Sequence, residues 1–155
     1  MDFQVVALEA SPFSHLYGLT DSGLAALAAR AYVADRTPGF PCRVSLAEAT
    51  VGERVILLNF EHLGGDSPYR SRHAIFVRDG ASRATPQPGE LPAYLTSRLL
   101  SVRAYDADRM MTDADVVAGS GLEGVIARLL GAPATAFLHV HTAKRGCYLA
   151  AIERA

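Results

Sequence analysis

The sequence predicts an α+β protein with a single domain over residues 1–155, in which two or three helices pack on a mostly antiparallel sheet of about six strands. Three observations predict this class. Short apolar runs of strand length follow one another without an intervening helix. Helical periodicity occurs in only a few segments. Two strand-like segments flank a short turn near the C-terminus, which indicates a terminal β-hairpin.

The N-terminal third predicts a strand, a helix and a break. Residues 3–8 (FQVVAL) form an apolar run of strand length. Residues 20–33 predict a helix because leucine and alanine recur on one face. Three polar residues at its start are alternative N-caps: Thr20, Asp21 and Ser22. Two prolines and a glycine within residues 36–43 end the pattern.

The middle of the chain predicts two strands separated by a loop. Residues 53–60 (ERVILLNF) form a nearly continuous apolar run, which is typical of a central strand buried on both faces. Residues 62–71 are a loop by composition, and residues 73–78 (HAIFVR) predict the next strand. An exposed connection follows over residues 80–90. Residues 91–98 then predict a short helix with a proline near its first turn.

The C-terminal part predicts a strand pair, a helix and a hairpin. Residues 99–106 alternate between apolar and polar side chains, and residues 109–117 form the return strand. The next helix has a capping box of Ser120 and Glu123, and Gly131 with Pro133 ends it. The predicted hairpin joins the last two strands: TAFLHVHT and CYLAAIER, across AKRG.

His139 and His141 lie two positions apart on the first strand of this hairpin. Residues at that spacing share one face of a strand, about 6.5–7 Å apart along the backbone. Two such imidazoles can bind one metal ion, and a third ligand is needed, for which His62 and His73 are the candidates. The alternative is that one imidazole hydrogen-bonds within the sheet and the other is solvated. We predict no bound metal or other cofactor as the leading hypothesis.

Cys42 and Arg43 form a second candidate site. A thiol beside an arginine has a lowered pKa and can act as a nucleophile, with His73 or His141 as the base. The alternative is a small buried hydrophobic residue beside a structural arginine. An apolar enclosure around Cys42 would exclude the nucleophilic role.

Two further groups of polar residues predict ligand binding. Tyr69 and His73, with two arginines between them, lie at a loop-to-strand junction, where binding groups often sit. Arg103 and Tyr105 share the polar face of one strand, and Asp106 follows to orient a histidine. Arginine is suited to bind carboxylate or phosphate groups through paired hydrogen bonds. The alternative is an exposed basic surface with surface ion pairs that contribute little stability.

Charge and composition exclude several classes of function. The net charge of −1 argues against nonspecific binding to nucleic acid. No apolar stretch is long enough to span a membrane, and the N-terminus lacks the basic region of a signal peptide. We therefore expect a cytoplasmic protein with reduced cysteines. No glycine-rich phosphate loop is present between a strand and a helix.

Five blocks of the sequence resemble the bacterial family called domain of unknown function 1203: PGFPCRVSL, GERVILLNF, SPYRSRHAIFVR, VRAYDADRMM and GCYLAAIER. The resemblance covers residues 3 to 155 and implies a single-domain bacterial protein without an assigned reaction. Many relatives carry arginine where this chain has His141 and Gly-Pro near His73 and Ala74. This departure weakens a metal site as a family-wide mechanism and favours Cys42 and Arg43.

The leading functional hypothesis is a binding protein or enzyme for a small anionic molecule, without nucleic-acid or membrane partners. Its predicted catalytic residues are Cys42, His73 and His141. Its predicted ligand-binding residues are Arg43, Tyr69, Arg103, Tyr105 and Asp106. A rival hypothesis is a noncatalytic interaction module that forms a homodimer or docks to a partner. A third is a metal-dependent enzyme that uses His139 and His141.

Overall fold

Ten strands and three α-helices make up the structure, a computed structural model that describes residues 2–155. In chain order they are β1 (Phe3–Val6), α1 (Asp21–Ala25), β2 (Arg30–Val33), β3 (Pro41–Cys42), β4 (Ala47–Glu48), β5 (Arg54–Leu63), β6 (Ser71–Arg78), α2 (Ala93–Thr96), β7 (Leu99–Tyr105), β8 (Met111–Ala118), α3 (Leu122–Gly131), β9 (Phe137–Thr142) and β10 (Tyr148–Arg154). The α+β class is confirmed. The strand number is not, because ten strands form two five-stranded sheets.

The first sheet has the strand order β1-β10-β9-β7-β8 and is antiparallel throughout. The predicted alternation along β7 is confirmed, since Leu100, Val102 and Ala104 are buried on one face. That face packs against α2 and α3, where the apolar stripe of α3 forms the other half of the core. The predicted C-terminal hairpin is confirmed as β9 and β10.

The second sheet has the order β2-β5-β6-β3-β4, with a parallel pair between β3 and β6. Strand β5 is internal, as predicted, but it is not buried on both faces, since most of its residues are only partly buried. It also continues past residue 60 as far as Leu63. Its last residues pair with β6, Glu61 opposite Arg72 and Leu63 opposite Ser71. The predicted loop therefore begins two residues later than expected, and His62 becomes a strand residue.

The two sheets meet at Tyr148, a β10 residue of the first sheet whose side chain packs in the apolar cluster of the second. Its ring contacts Phe60, and the cluster also contains Ile75 and Val77. The face of the first sheet opposite α3 is therefore turned toward the second sheet. Polar side chains on this face lie between the sheets, away from bulk water.

The helix predicted over residues 20–33 is wrong in its second half. Thr20 caps α1 as expected, since its side-chain oxygen accepts a hydrogen bond from the Gly23 N–H. Ala28 has a φ of 55°, and the Ala29 N–H donates to the Leu24 carbonyl, which closes the helix. Residues 30–33 instead pair with β5 as strand β2, so tertiary pairing overrides the local helical pattern.

The capping box predicted at Ser120 and Glu123 is also wrong. Helix α3 begins at Leu122 after a 3₁₀ turn over Gly119–Gly121, and no side chain of the described residues caps it. Glycine is required at the start of this turn, because a Cβ at Gly119 would collide with the Thr96 carbonyl group. Helix α1 packs on the second sheet rather than joining the other helices on the first. No helix within residues 2–155 is long and apolar enough to cross a membrane.

Candidate metal centre

His139 and His141 share one face of β9, as their spacing predicts, and that face is turned toward the space between the sheets. Their side chains are 5% and 0% exposed, respectively. Across the ladder, Arg103 lies opposite His139 and Ser101 opposite His141 on β7. On the other side, Tyr148 of β10 lies opposite His141. The strand register therefore surrounds the two imidazoles with aromatic, hydroxyl and guanidinium groups.

His62 reaches the same space from the second sheet, because β5 extends through it. Its ring centroid lies 4.9 Å from that of His141 and 5.8 Å from that of His139. The rings of His139 and His141 are 6.1 Å apart. One ring nitrogen from each of the three residues lies within 4.8 Å of the other two. The fold thus assembles a three-histidine cluster from two sheets.

Three nitrogens in this cluster are buried without a hydrogen-bond partner among residues 2–155: His62 Nδ1, His139 Nδ1 and His141 Nε2. Such a buried group costs about 1–3 kcal/mol when it is left unpaired. The tautomer of His141 follows from its contact with the Gly146 carbonyl oxygen, 2.9 Å from Nδ1. Because a carbonyl only accepts, His141 Nδ1 carries the proton and Nε2 carries a free lone pair.

Burial keeps the three imidazoles neutral. It lowers the pKa of His62 from 6.5 to about 4, and the pKa of His139 to about 3. Burial also lowers the pKa of His141, although the hydrogen bond to Gly146 opposes this effect. The positive charge of Arg103 lowers the pKa of all three residues further. Neutral imidazole is the form that binds metal ions.

Aromatic rings hold the imidazoles in place. The Tyr148 ring stacks on His62 at a centroid distance of 5.5 Å and an interplanar angle of 9°. The same ring meets His139 and His141 edge to face. Tyr105 packs against His139 from the other side, at 5.3 Å. The three side chains are therefore packed in one arrangement, which leaves room only for small adjustments of their torsions.

Arg103 is the charged neighbour of the cluster. Its Nε donates to Ser101 Oγ at 3.3 Å, and the side chain is half-buried. Within residues 2–155, no carboxylate lies within ion-pair distance of it. A half-buried guanidinium beside three neutral imidazoles favours a negatively charged group at this position.

Five of the eight predicted site residues are divided between the histidine cluster and a separate cleft. His141, Arg103 and Tyr105 lie at the histidine cluster. Arg43 and His73 instead line a separate cleft of about 400 Å³. Tyr69 is exposed and contacts only the edge of the cluster, with its ring 6.5 Å from that of Tyr105. The structure does not bring the eight predicted residues into one pocket.

Cys42 and Asp106 make contacts that give them structural roles. Cys42 is 1% exposed in an apolar cluster, and its Sγ accepts hydrogen bonds from the N–H groups of Ser45 and Arg78. This apolar enclosure argues against the predicted nucleophilic role of Cys42. The Asp106 carboxylate accepts from the N–H groups of Asp108 and Met110, so it shapes the β7–β8 turn rather than orienting a histidine.

His62 is the site residue that the sequence predicts least well. It is one of two candidates for a third metal ligand, and the structure places it, rather than His73, in the cluster. Its position two residues before Gly64 and Gly65 indicates a loop. The available signal is its even spacing from Phe60, which places both on one face if the strand continues.

Comparison with known proteins identifies a family. The family model described as "Protein of unknown function (DUF1203)" matches residues 39–154. No curated protein and no solved structure matches the chain. The three histidines and Arg103 all lie within the matched segment, which is the part of the chain that the family shares.

Proposed function

The chain belongs to the DUF1203 family, whose description names no activity, and we propose from its own geometry that it binds a divalent transition metal ion, with zinc as the best fit, through His62, His139 and His141. The observation that carries this proposal is the convergence of three histidines from two different sheets, with one ring nitrogen of each within 4.8 Å of the other two. Three buried ring nitrogens of these residues also lack a hydrogen-bond partner within residues 2–155. Imidazole ligands suit zinc, copper, iron and nickel rather than calcium or magnesium.

The cluster needs only small movements to bind zinc. At a Zn–N distance of about 2.0–2.1 Å, tetrahedral ligands lie about 3.3 Å apart. The nitrogens here are within 4.8 Å of one another, so each imidazole has to move by less than about 1 Å. Rotations about the side-chain torsions supply movements of this size without a change in the backbone.

The surroundings of His141 match those of a histidine that binds a metal ion. A histidine that binds metal usually donates its other ring N–H to a carbonyl or carboxylate. His141 makes this contact with the Gly146 carbonyl. The alternative, in which the histidines only hydrogen-bond within the protein, leaves one buried nitrogen of each imidazole unpaired.

Three protein ligands leave one tetrahedral position for an exchangeable group, as in catalytic rather than structural zinc sites. Water, hydroxide or a small anion would occupy it. Arg103 is positioned to stabilise negative charge there, since it lies opposite His139 in the sheet. We therefore propose that the chain is a metal-dependent enzyme that polarises an oxygen-containing substrate.

Two histidines outside the cluster provide controls for the first experiment, which measures metal binding. It has five histidines, of which His15 is exposed and His73 lies in the separate cleft. Metal content is measured by mass spectrometry in protein purified without added metal, and zinc affinity by competition with a chromogenic chelator. We expect one metal ion per chain in the wild type and in the H15Q and H73Q variants.

The H62Q, H139Q and H141Q variants should each weaken zinc binding by more than about 100-fold, because loss of a ligand costs more than loss of a supporting group. Cobalt substitution should give the visible absorption of a tetrahedral site in the wild type. Far-ultraviolet circular dichroism checks that each variant is folded. Equal zinc affinity in H62Q and H15Q would overturn the proposal.

A further inference from the structure

A cleft of about 400 Å³ lies apart from the histidine cluster and is rich in positive charge. Its basic lining residues are Arg43, His73, Arg98, Lys144 and Arg145, and no carboxylate of the described residues lines it. Arg98 is neutralised by an ion pair with Glu48. Arg43, Lys144 and Arg145 have no carboxylate partner within residues 2–155.

Arg43 is the buried element of this cleft. It is 2% exposed, yet it carries a full charge without an acidic partner in the described part of the chain. Its Nε donates to the Tyr148 carbonyl at 2.7 Å, and its Nη1 donates to the Pro41 carbonyl at 2.6 Å. These contacts fix the guanidinium in one orientation. Burying a charge is expensive unless a counter-charge reaches it, which indicates that the cleft is built for an anion.

The turn between β9 and β10 carries the other cations into the cleft. The N–H of Cys147 donates to Thr142 Oγ1 at 3.0 Å, and the Gly146 N–H donates to the Thr142 carbonyl at 3.0 Å. This bonded turn places Lys144 and Arg145 on the rim, together with the partly exposed thiol of Cys147. Lys144 and Arg145 lie at the surface, so they can be replaced without disturbing the core.

Most of the remaining lining is apolar and includes Leu57, Ala74 and Phe76. The volume lies in the range of small-molecule sites, which combine apolar walls with a few polar groups. We infer that this cleft binds a small organic anion, with its phosphate or carboxylate group at Arg43, Lys144 and Arg145 and its apolar part against Leu57, Ala74 and Phe76. This inference does not depend on metal binding at the histidine cluster.

Calorimetric titration with three probes tests the inference: phenyl phosphate, benzoate and inorganic phosphate. We expect saturable binding of phenyl phosphate or benzoate, and the tighter of the two identifies the anionic group. Inorganic phosphate should bind at least ten-fold more weakly than phenyl phosphate if the apolar wall contributes. The K144Q/R145Q variant should lose most of the affinity. The R83Q/R128Q variant removes two positive charges from residues that do not line the cleft, and it should retain that affinity.

Cys147 supplies a second, independent readout. Iodoacetate carries a negative charge and iodoacetamide does not, so the ratio of their reaction rates at Cys147 reports the local potential. At low salt we expect the iodoacetate-to-iodoacetamide rate ratio to fall about five-fold in K144Q/R145Q, because two nearby positive charges no longer attract iodoacetate. The ratio should stay constant in R83Q/R128Q. An unchanged ratio in K144Q/R145Q, or no saturable binding of either organic anion to the wild type, would overturn the inference.

Discussion

The carbonyl oxygen of Gly146 lies 2.9 Å from His141 Nδ1. His141 belongs to the first strand of the terminal hairpin, and Gly146 lies in its turn. Gly146 reaches this position with a φ of 74°, in the left-handed region. One turn therefore performs two tasks. It directs a carbonyl toward a buried imidazole, and it carries Lys144 and Arg145 to the rim of the basic cleft.

Replacement of Gly146 by alanine should weaken zinc binding about ten-fold or more, because the displaced carbonyl no longer fixes the tautomer of His141. Gly52 is the matched control, since its φ is 92° and, apart from its chain neighbours, no described residue comes within 4 Å of the position that an added Cβ would take. Each variant should lose about 1–2 kcal/mol of folding stability from backbone strain. Only G146A should change the zinc affinity measured by chelator competition. A parallel loss of affinity in G52A would contradict the assigned role of the carbonyl.

Arg103 should weaken the binding of the metal ion and strengthen the binding of an anion at the exchangeable position. The R103M variant should bind zinc a few-fold more tightly, because it removes a positive charge beside the site. The cobalt-substituted variant should bind azide more weakly than the wild type, as measured by the shift in visible absorption. R72M is the control, since Arg72 is exposed and its Nε donates to Asn59. If R103M leaves azide binding unchanged, Arg103 does not act on the fourth position.

Cys42 should behave as a core residue and Cys147 as the accessible thiol. Alkylation of the native protein by iodoacetamide should modify one thiol per chain, identified as Cys147 by peptide mass spectrometry. Cys42 should react only after unfolding. The C42S variant should lose about 1–3 kcal/mol of stability by chemical denaturation, because it places a hydroxyl in an apolar cluster. Rapid labelling of Cys42 in the folded protein would restore the nucleophile hypothesis.

The sequence predicts those parts of the site that depend on local periodicity. His139 and His141 share a face because a strand repeats every two residues, whatever surrounds it. The alternation along β7 places Arg103 and Tyr105 on one face for the same reason. These relationships need no knowledge of strand order.

The third ligand could not be predicted in the same way, because it depends on pairing between distant segments. Whether β5 ends at residue 60 or at Leu63 is decided by its hydrogen bonds to β6. The division into two sheets is likewise decided by tertiary contacts, and it alone brings His62 opposite His141. Residues 30–33 form a strand rather than the predicted helix because of the same pairing effect.

Two glycines near the first sheet should respond in opposite directions to alanine substitution. A Cβ at Gly119 would collide with the Thr96 carbonyl group, so G119A should cost about 1–3 kcal/mol as the backbone shifts. Gly124 lies within α3, where such a Cβ would meet no atom of the described residues within 4 Å apart from its chain neighbours and the backbone of its own helix. G124A should therefore add up to about 1 kcal/mol of stability, because glycine is a poor helix former. Thermal denaturation of both variants checks the sign of each change.

A bound metal should fasten the two sheets together, since His62 belongs to one sheet and His139 and His141 belong to the other. Zinc that binds only the folded chain adds about 2.7 kcal/mol of stability at a free concentration roughly 100 times its Kd. Thermal denaturation with zinc and with chelator should show this difference in the wild type and in H15Q, but not in H62L.

Hydrogen exchange gives the spatial form of the same prediction. Zinc should slow amide exchange both at the end of β5 and along β9, because the metal ties these strands to each other. The H62L variant should lose the added protection in both strands. Protection confined to β9 and β10 in the wild type would mean that the metal uses ligands from one sheet only. In that case the third ligand would not be His62, and the arrangement proposed for the centre would be wrong.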